Sequence, residues 1–232
     1  AIQNAINSNM LVYFSKNYYV TKTLFDNVTL TLKLQGDICL DTSWYTCKGG
    51  KIIVADGVSL FKNCTLHGYI KQVGFVGEGA QTTGTSNTTQ YFFESCELRR
   101  CHIIGNYFLN FESIFYKSVP KLTSKFNYNT CLSIYNFAKN DSSEWMGCGD
   151  VDFVGNYING GTKYNNNICF AFSEMGATVV AYNFIDFYCY MYKADAGGYQ
   201  PPRYTLPQSY GNRYEAFKYF LNTDRADNIT AS

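Results

Sequence analysis

One stretch of the chain gathers the residue types that glycan hydrolysis uses. It runs Lys139-Asn140-Asp141-Ser142-Ser143-Glu144-Trp145-Met146-Gly147-Cys148-Gly149-Asp150-Val151-Asp152 and holds four carboxylates and one of the two Trp. Cleaving a glycosidic bond takes one protonated and one ionised carboxyl, ~5–9 Å apart, with an aromatic ring against the sugar face. Glu144, Asp150 and Asp152 are the acid/base candidates. Trp145 is the candidate platform, and Asp141 a candidate polar contact. The plainer reading is an acidic, solvated turn with Trp145 packed at its edge. Arg99, Arg100 and His102, near Glu94, Glu97 and Glu112, are further candidates for holding a glycan. Their plainer reading is ordinary surface pairing, which contributes little.

Other chemistry finds less support. Asp150 and Asp152 could offer oxygen ligands to a divalent cation, but the expectation is that they point to opposite sides of an extended strand, so no metal is assigned. His67 and His102 are the only His, and neither sits in a nucleophile motif. Gly77-Glu78-Gly79 lacks the Lys and the following helix of a phosphate loop. No cofactor is expected.

The bulk composition narrows the class. The chain has 232 residues, 46% of them hydrophobic, enough for one large all-β domain. Charged residues make up 16% and the formal net charge is +1, which argues against nucleic-acid binding driven by phosphate neutralisation. Aromatics are abundant, with 21 Tyr and 18 Phe. They suit either stacking inside a β-solenoid or contact with a hydroxyl-rich partner. Nine Cys cannot all pair within one chain, and none forms a CxxC motif or stands at zinc spacing to a His. They read as small buried thiols of a protein made in a reducing cytoplasm. No apolar run is long enough to span a bilayer, so no membrane insertion is expected. The sequons at Asn27, Asn63, Asn87, Asn140 and Asn228 reflect a chain rich in Asn, Ser and Thr.

A repeat must position these residues. Ile103-Ile104-Gly105-Asn106-Tyr107-Phe108 returns as Phe153-Val154-Gly155-Asn156-Tyr157-Ile158, and more loosely as Val180-Ala181-Tyr182-Asn183-Phe184-Ile185. The Asn residues stand 50 and 27 positions apart. Two turns in the first interval give a unit of about 25 residues, the range of a strand-built solenoid. Phe61-Lys62-Asn63-Cys64-Thr65-Leu66 and Phe93-Glu94-Ser95-Cys96-Glu97-Leu98 repeat at 32, with the Gly/Thr stretch 77–87 as the inserted loop. Aligning the Asn106 and Asn156 copies sets Arg100 over Asp150 and His102 over Asp152, two turns or about 10 Å apart. The Asn column itself reads as a structural ladder at tight turns.

The entry to the repeat carries a family resemblance. Ala1-Ile2-Gln3-Asn4-Ala5-Ile6 places its apolar residues on one helical face. Then come Val12-Tyr13-Phe14, Asn17-Tyr18-Tyr19-Val20, and the alternating strand Val28 to Leu34 ending at Gly36. Over these 36 residues the order resembles the start of the pectate-lyase-like right-handed β-helices, especially those of phage tailspikes and related polysaccharide-acting proteins. Ser15-Lys16-Asn17 stands where that family has Pro-x-Gly, and the family's preceding Gly/Asp-rich segment is missing, so the chain reads as a piece of a longer protein.

The resemblance implies a right-handed parallel β-helix with a capping helix over 1–10, a body over 11–194 and an irregular exit over 195–232. It implies a virion tail spike or fibre-type appendage, assembled as a homotrimer with other tail proteins. Its partner would be a bacterial surface polysaccharide, bound along the coil or between subunits. The residues leave three functions open: a binding appendage, a polysaccharide depolymerase on the same scaffold, and a purely structural virion component. A cellular pectin-lyase-like enzyme is disfavoured by the Cys count.

Overall fold

The computed structural model describes residues 2–40, 47–78, 90–139, 149–160, 167–170, 177–186, 189–194, 204–205, 207–215, 219–223 and 229–230. Three eight-stranded parallel sheets make up most of it. Face I is built from Val12–Phe14, Thr29–Gly36, Thr65–Lys71, Glu97–Ile104, Val119–Asn127, Gly149–Val154, Val179–Ala181 and Gln208–Tyr210. Face II is built from Tyr18–Val20, Lys51–Val54, Gly74–Gly77, Tyr107–Leu109, Thr130–Ile134, Tyr157–Gly160, Phe184–Asp186 and Arg213–Glu215. Face III is built from Phe25–Asp26, Phe61–Lys62, Tyr91–Glu94, Ser113–Tyr116, Asn136–Lys139, Asn167–Phe170, Cys189–Ala194 and Tyr219–Thr223. The chain visits the faces in rotation, and each return to a face adds one strand beside the last. We call one such round a circuit. Strands also continue past residue 194, where the sequence suggested an irregular exit: Gln208–Tyr210, Arg213–Glu215 and Tyr219–Thr223 complete an eighth circuit.

Each face sends columns of side chains inward, because residues in register on parallel strands point the same way. Leu34, Ile70, Ile103, Phe126, Phe153 and Val180 align on face I. Ile52, Phe75, Phe108, Cys131, Ile158 and Ile185 align on face II. Phe25, Phe61, Phe93 and Phe115 align on face III, with successive rings 5.5–6.1 Å apart and near parallel. Among the described residues eleven Phe side chains are fully buried, and the large exposed aromatics are Tyr, among them Tyr19, Tyr128, Tyr182 and Tyr210. Phe fills the core, whereas these Tyr, whose hydroxyls keep their hydration, stand outside; Tyr91 and Tyr107 are the buried exceptions among the described residues. Among the described residues Cys64, Cys96, Cys101 and Cys131 are buried free thiols, as the composition suggested, whereas Cys39 is exposed. Burial pushes the Cys101 thiol up to about 12 and the Cys131 thiol well above its ordinary value.

The corner between faces I and II explains the Asn repeat. Asn106, Asn129, Asn156, Asn183 and Asn212 form one ladder. The backbone N–H of each of the first four donates to the side-chain oxygen of the next at 2.8–2.9 Å. Each side-chain amide also donates to a backbone carbonyl on the preceding circuit, such as Asn156 to Phe126 and Asn183 to Phe153, both at 2.8 Å. The steps are 23, 27, 27 and 29 residues. Asn129 thus halves the 50-residue interval.

The residue before each ladder Asn has positive φ: Gly105, Tyr128, Gly155, Tyr182 and Gly211. Gly and Tyr alternate there for a steric reason. The Tyr128 ring lies where a Cβ on Gly155 would sit, 2.6 Å away, and Tyr182 does the same over Gly211. The N-terminal helix, Ile2–Asn7, buries Ile6 in the core, and the Gln3 amide donates to the Leu24 carbonyl. It packs on the first two strands of face I, where it covers core side chains.

Candidate functional site

Face I has the longest strands, and its middle strands, Thr65–Lys71, Glu97–Ile104, Val119–Asn127 and Gly149–Val154, are kinked. Register shifts fall between Leu98 and Cys101, between Arg99 and His102, and between Lys121 and Ser124. The residues at the kink have positive φ: Gly68 (+90°), Arg100 (+51°), Leu122 and Thr123 (+52° and +62°) and Asp150 (+59°). A Cβ on Gly68 would run into the Leu32 carbonyl oxygen, which accounts for Gly at that position. The kinks are β-bulges with a consequence for function. In a regular strand consecutive side chains alternate between faces. At a bulge they need not. Leu98 and Cys101 are buried while Arg99 and Arg100, between them, are both exposed. Leu122 and Thr123 repeat this one circuit later, with Ser124 buried behind them. The Ser124 hydroxyl accepts from the Cys101 N–H at 3.1 Å and shares its one proton between the carbonyls of Lys121 at 2.6 Å and Leu98 at 3.1 Å, which fixes the kink from inside.

The sequence-predicted residues can now be placed. Arg99, Arg100 and His102 share the strand Glu97–Ile104 and face outward. His102 is in register with Lys125, and Lys125 with Asp152, so His102 and Asp152 lie in one column two circuits apart. Arg100 and Asp150 occupy the corresponding bulge positions two circuits apart. Asp150 and Asp152 both lie on the outer surface, with Val151 buried between them. Residues two apart in a strand share a side, so the expectation that these carboxylates point opposite ways is corrected. Even so, among the described residues no three His, Cys, Asp or Glu are grouped to hold a metal ion. Asp141, Glu144 and Trp145 lie outside the described residues, so the acid/base and platform assignments to that loop stand as expectations. Glu94 and Glu112 belong elsewhere. Glu94 lies on face III, bonded to Ser59 at 2.6 Å and Lys62 at 2.9 Å, and Glu112 is buried at the start of the next face III strand, its N–H donating to the Gln90 carbonyl at 3.0 Å.

The sequence reading missed Lys121 and Lys125, which register alone brings in. Lys121 is opposite Arg99, and Lys125 is opposite His102. Glu97 pairs with Arg99 at 2.9 Å and with Lys121 at 3.5 Å, while Lys125 pairs with Asp152 at 3.5 Å. The hydrogen bond from Arg99, aided by Lys121, holds the Glu97 carboxyl below its ordinary value despite partial desolvation. A carboxyl with a lowered folded-state value adds stability that is complete above its unfolded value, about 4.3, and lost as pH falls through the folded one. Glu97→Gln is therefore expected to lower stability slightly at neutral pH. The difference from wild type should shrink as pH falls below about 4.3 and through the lower folded-state value, measured by urea melts from neutral to acidic pH. A difference independent of pH would exclude the ion pairs as its cause.

Among the described residues no helix is long and apolar enough to cross a membrane. Compared with known proteins, the chain matches no family model, no curated protein and no solved structure.

Proposed function

We propose that the chain is a right-handed parallel β-helix domain of a virion tail spike or fibre-type appendage, and that the outer surface of face I binds a bacterial surface polysaccharide. The observation that carries the binding reading is the bulge that turns Arg99 and Arg100 outward together beside His102. A rigid sheet with exposed, bulge-displaced polar side chains is suited to hold an extended polymer with little ordering of its own. Three parallel sheets visited in rotation, an internal Asn ladder and the family-like entry over the first 36 residues support the solenoid reading. Side-by-side association of three copies with other tail proteins follows from the same resemblance.

Binding is favoured over depolymerisation on face I. Asp150 is exposed and Asp152 is engaged by Lys125. A hydrolytic pair there would need Glu144 as its partner. The test is to incubate the protein with polysaccharides extracted from candidate bacterial hosts and follow polymer size by gel filtration. Co-elution at unchanged length is the expected result. Shortened polymer that persists in Arg100→Gln but is lost in Glu144→Gln would replace binding by catalysis. No effect on any polymer would leave the purely structural role.

A further inference from the structure

Resting on that glycan-binding reading, we infer that the ligand of face I is an acidic polysaccharide, one that carries carboxylates along its length, and that its charges are read by Arg100, Lys121 and Lys125. Charge is spread unevenly over the three sheets. Counting Lys and Arg against Asp and Glu on their strands, face I holds six to three, face II two to two and face III three to two. An excess equal to three charges thus sits on one sheet of a chain whose formal net charge is +1. The six are Lys33, Lys71, Arg99, Arg100, Lys121 and Lys125, against Glu97, Asp150 and Asp152.

The carboxylates present do not neutralise them. Glu97 is shared between Arg99 and Lys121, and Asp152 lies 3.5 Å from Lys125 alone. Arg99, Lys121 and Lys125 keep 45%, 40% and 43% of their side-chain surface exposed, and Arg100 is exposed at the bulge. The pairs are open to solvent, so each cation can exchange its partner for a ligand carboxylate at small cost.

Spacing favours a polymer over a small anion. Arg99 and Lys121 are in register on adjacent circuits, and so are His102 and Lys125. The cations Arg99 and Lys121 therefore stand one inter-strand step of about 4.8 Å apart, with Lys125 further along the strand of Lys121. That step is close to the length of one sugar residue in an extended chain. The other common polyanion, nucleic acid, is recognised by a strongly basic surface or by stacking on aromatics that flank the cations. Face I has neither a large excess nor an aromatic row, since Tyr69 is the one aromatic in the column of His102 and Lys125.

The test uses the whole chain and measures binding to alginate and hyaluronan as carboxylated polymers, dextran as a neutral one, and single-stranded DNA as a competitor. Alginate or hyaluronan is expected to bind, more weakly as salt rises. Arg100→Gln with Lys121→Gln and Lys125→Gln should lower that affinity by about tenfold or more. Lys62→Gln, which removes a cation from face III, should lower it far less than Arg100→Gln, which removes one from face I. Equal losses in those two single variants would mean that binding follows net charge, and the assignment to face I would fall. Dextran binding that is indifferent to salt and to the triple variant would overturn the acidic ligand and keep the glycan reading. Single-stranded DNA binding as tightly as the polyuronates would overturn the polysaccharide class. No binding to any polymer would overturn both readings.

Discussion

Asn156→Ala is expected to destabilise the protein by about 4 kcal/mol, read as a lower guanidinium midpoint at unchanged slope. Asn156 is the middle rung of the ladder and is 1% exposed. Its side-chain oxygen accepts the Asn129 N–H at 2.9 Å and the Asn129 amide at 3.2 Å. Its amide donates to the Phe126 carbonyl at 2.8 Å and the Asn183 side chain at 2.9 Å. Alanine leaves a buried N–H and a buried carbonyl without these partners, and each such group costs about 1–3 kcal/mol. The half-buried Asn212 makes the internal comparison. It also holds two neighbours, Asn183 and Val180, but water can reach its site, so Asn212→Ala should cost about half as much. Equal, small effects at both positions would mean that the ladder does not hold the corner.

Phe92→Ala is expected to cost about 3–5 kcal/mol. Phe92 is fully buried and packs against five other rings: Phe61, Phe75, Phe93, Phe108 and Phe111, at 4.5–5.9 Å. Those rings come from three successive circuits, all but Phe111 held by strands on faces II and III, and they cannot collapse together into the vacated space. Phe92→Leu keeps most of the volume and should cost about 1–2 kcal/mol. Tyr182→Ala, at a ring 64% exposed, should change stability by less than about 1 kcal/mol. Thermal melts of the three variants read the ranking directly. A Tyr182 variant as damaging as the Phe92 variant would show that the outer Tyr residues carry structure rather than surface.

Periodicity made the repeat legible in the chain. The G-N-aromatic and Y-N-aromatic stretches fix where a backbone with positive φ is followed by a buried amide, a local rule that residue type announces. Alternation in Thr29–Gly36 and the apolar face of Ile2–Asn7 likewise announce strand and helix from neighbouring residues alone. The two-circuit alignment of His102 with Asp152 also followed from counting, because the interval between Asn106 and Asn156 holds whole circuits.

Other features belong to contacts between circuits. Asn129 and Asn212 lack the full flanking pattern, and only the hydrogen bonds to Asn156 and Asn183 identify them as rungs. Lys121 and Lys125 stand more than 20 residues from Arg99 and His102 and become their neighbours through strand register. The bulge is decided at the same level. Nothing in Arg99-Arg100 says that both side chains face outward, since alternation would send one inward. The buried Ser124 hydroxyl on the next circuit, bonded to Leu98 and Cys101, sets that geometry. Sequence by itself determined the repeating all-β architecture, because that is written in local residue preferences. Only the tertiary structure decided which charges share a surface, because register couples residues that no local rule connects.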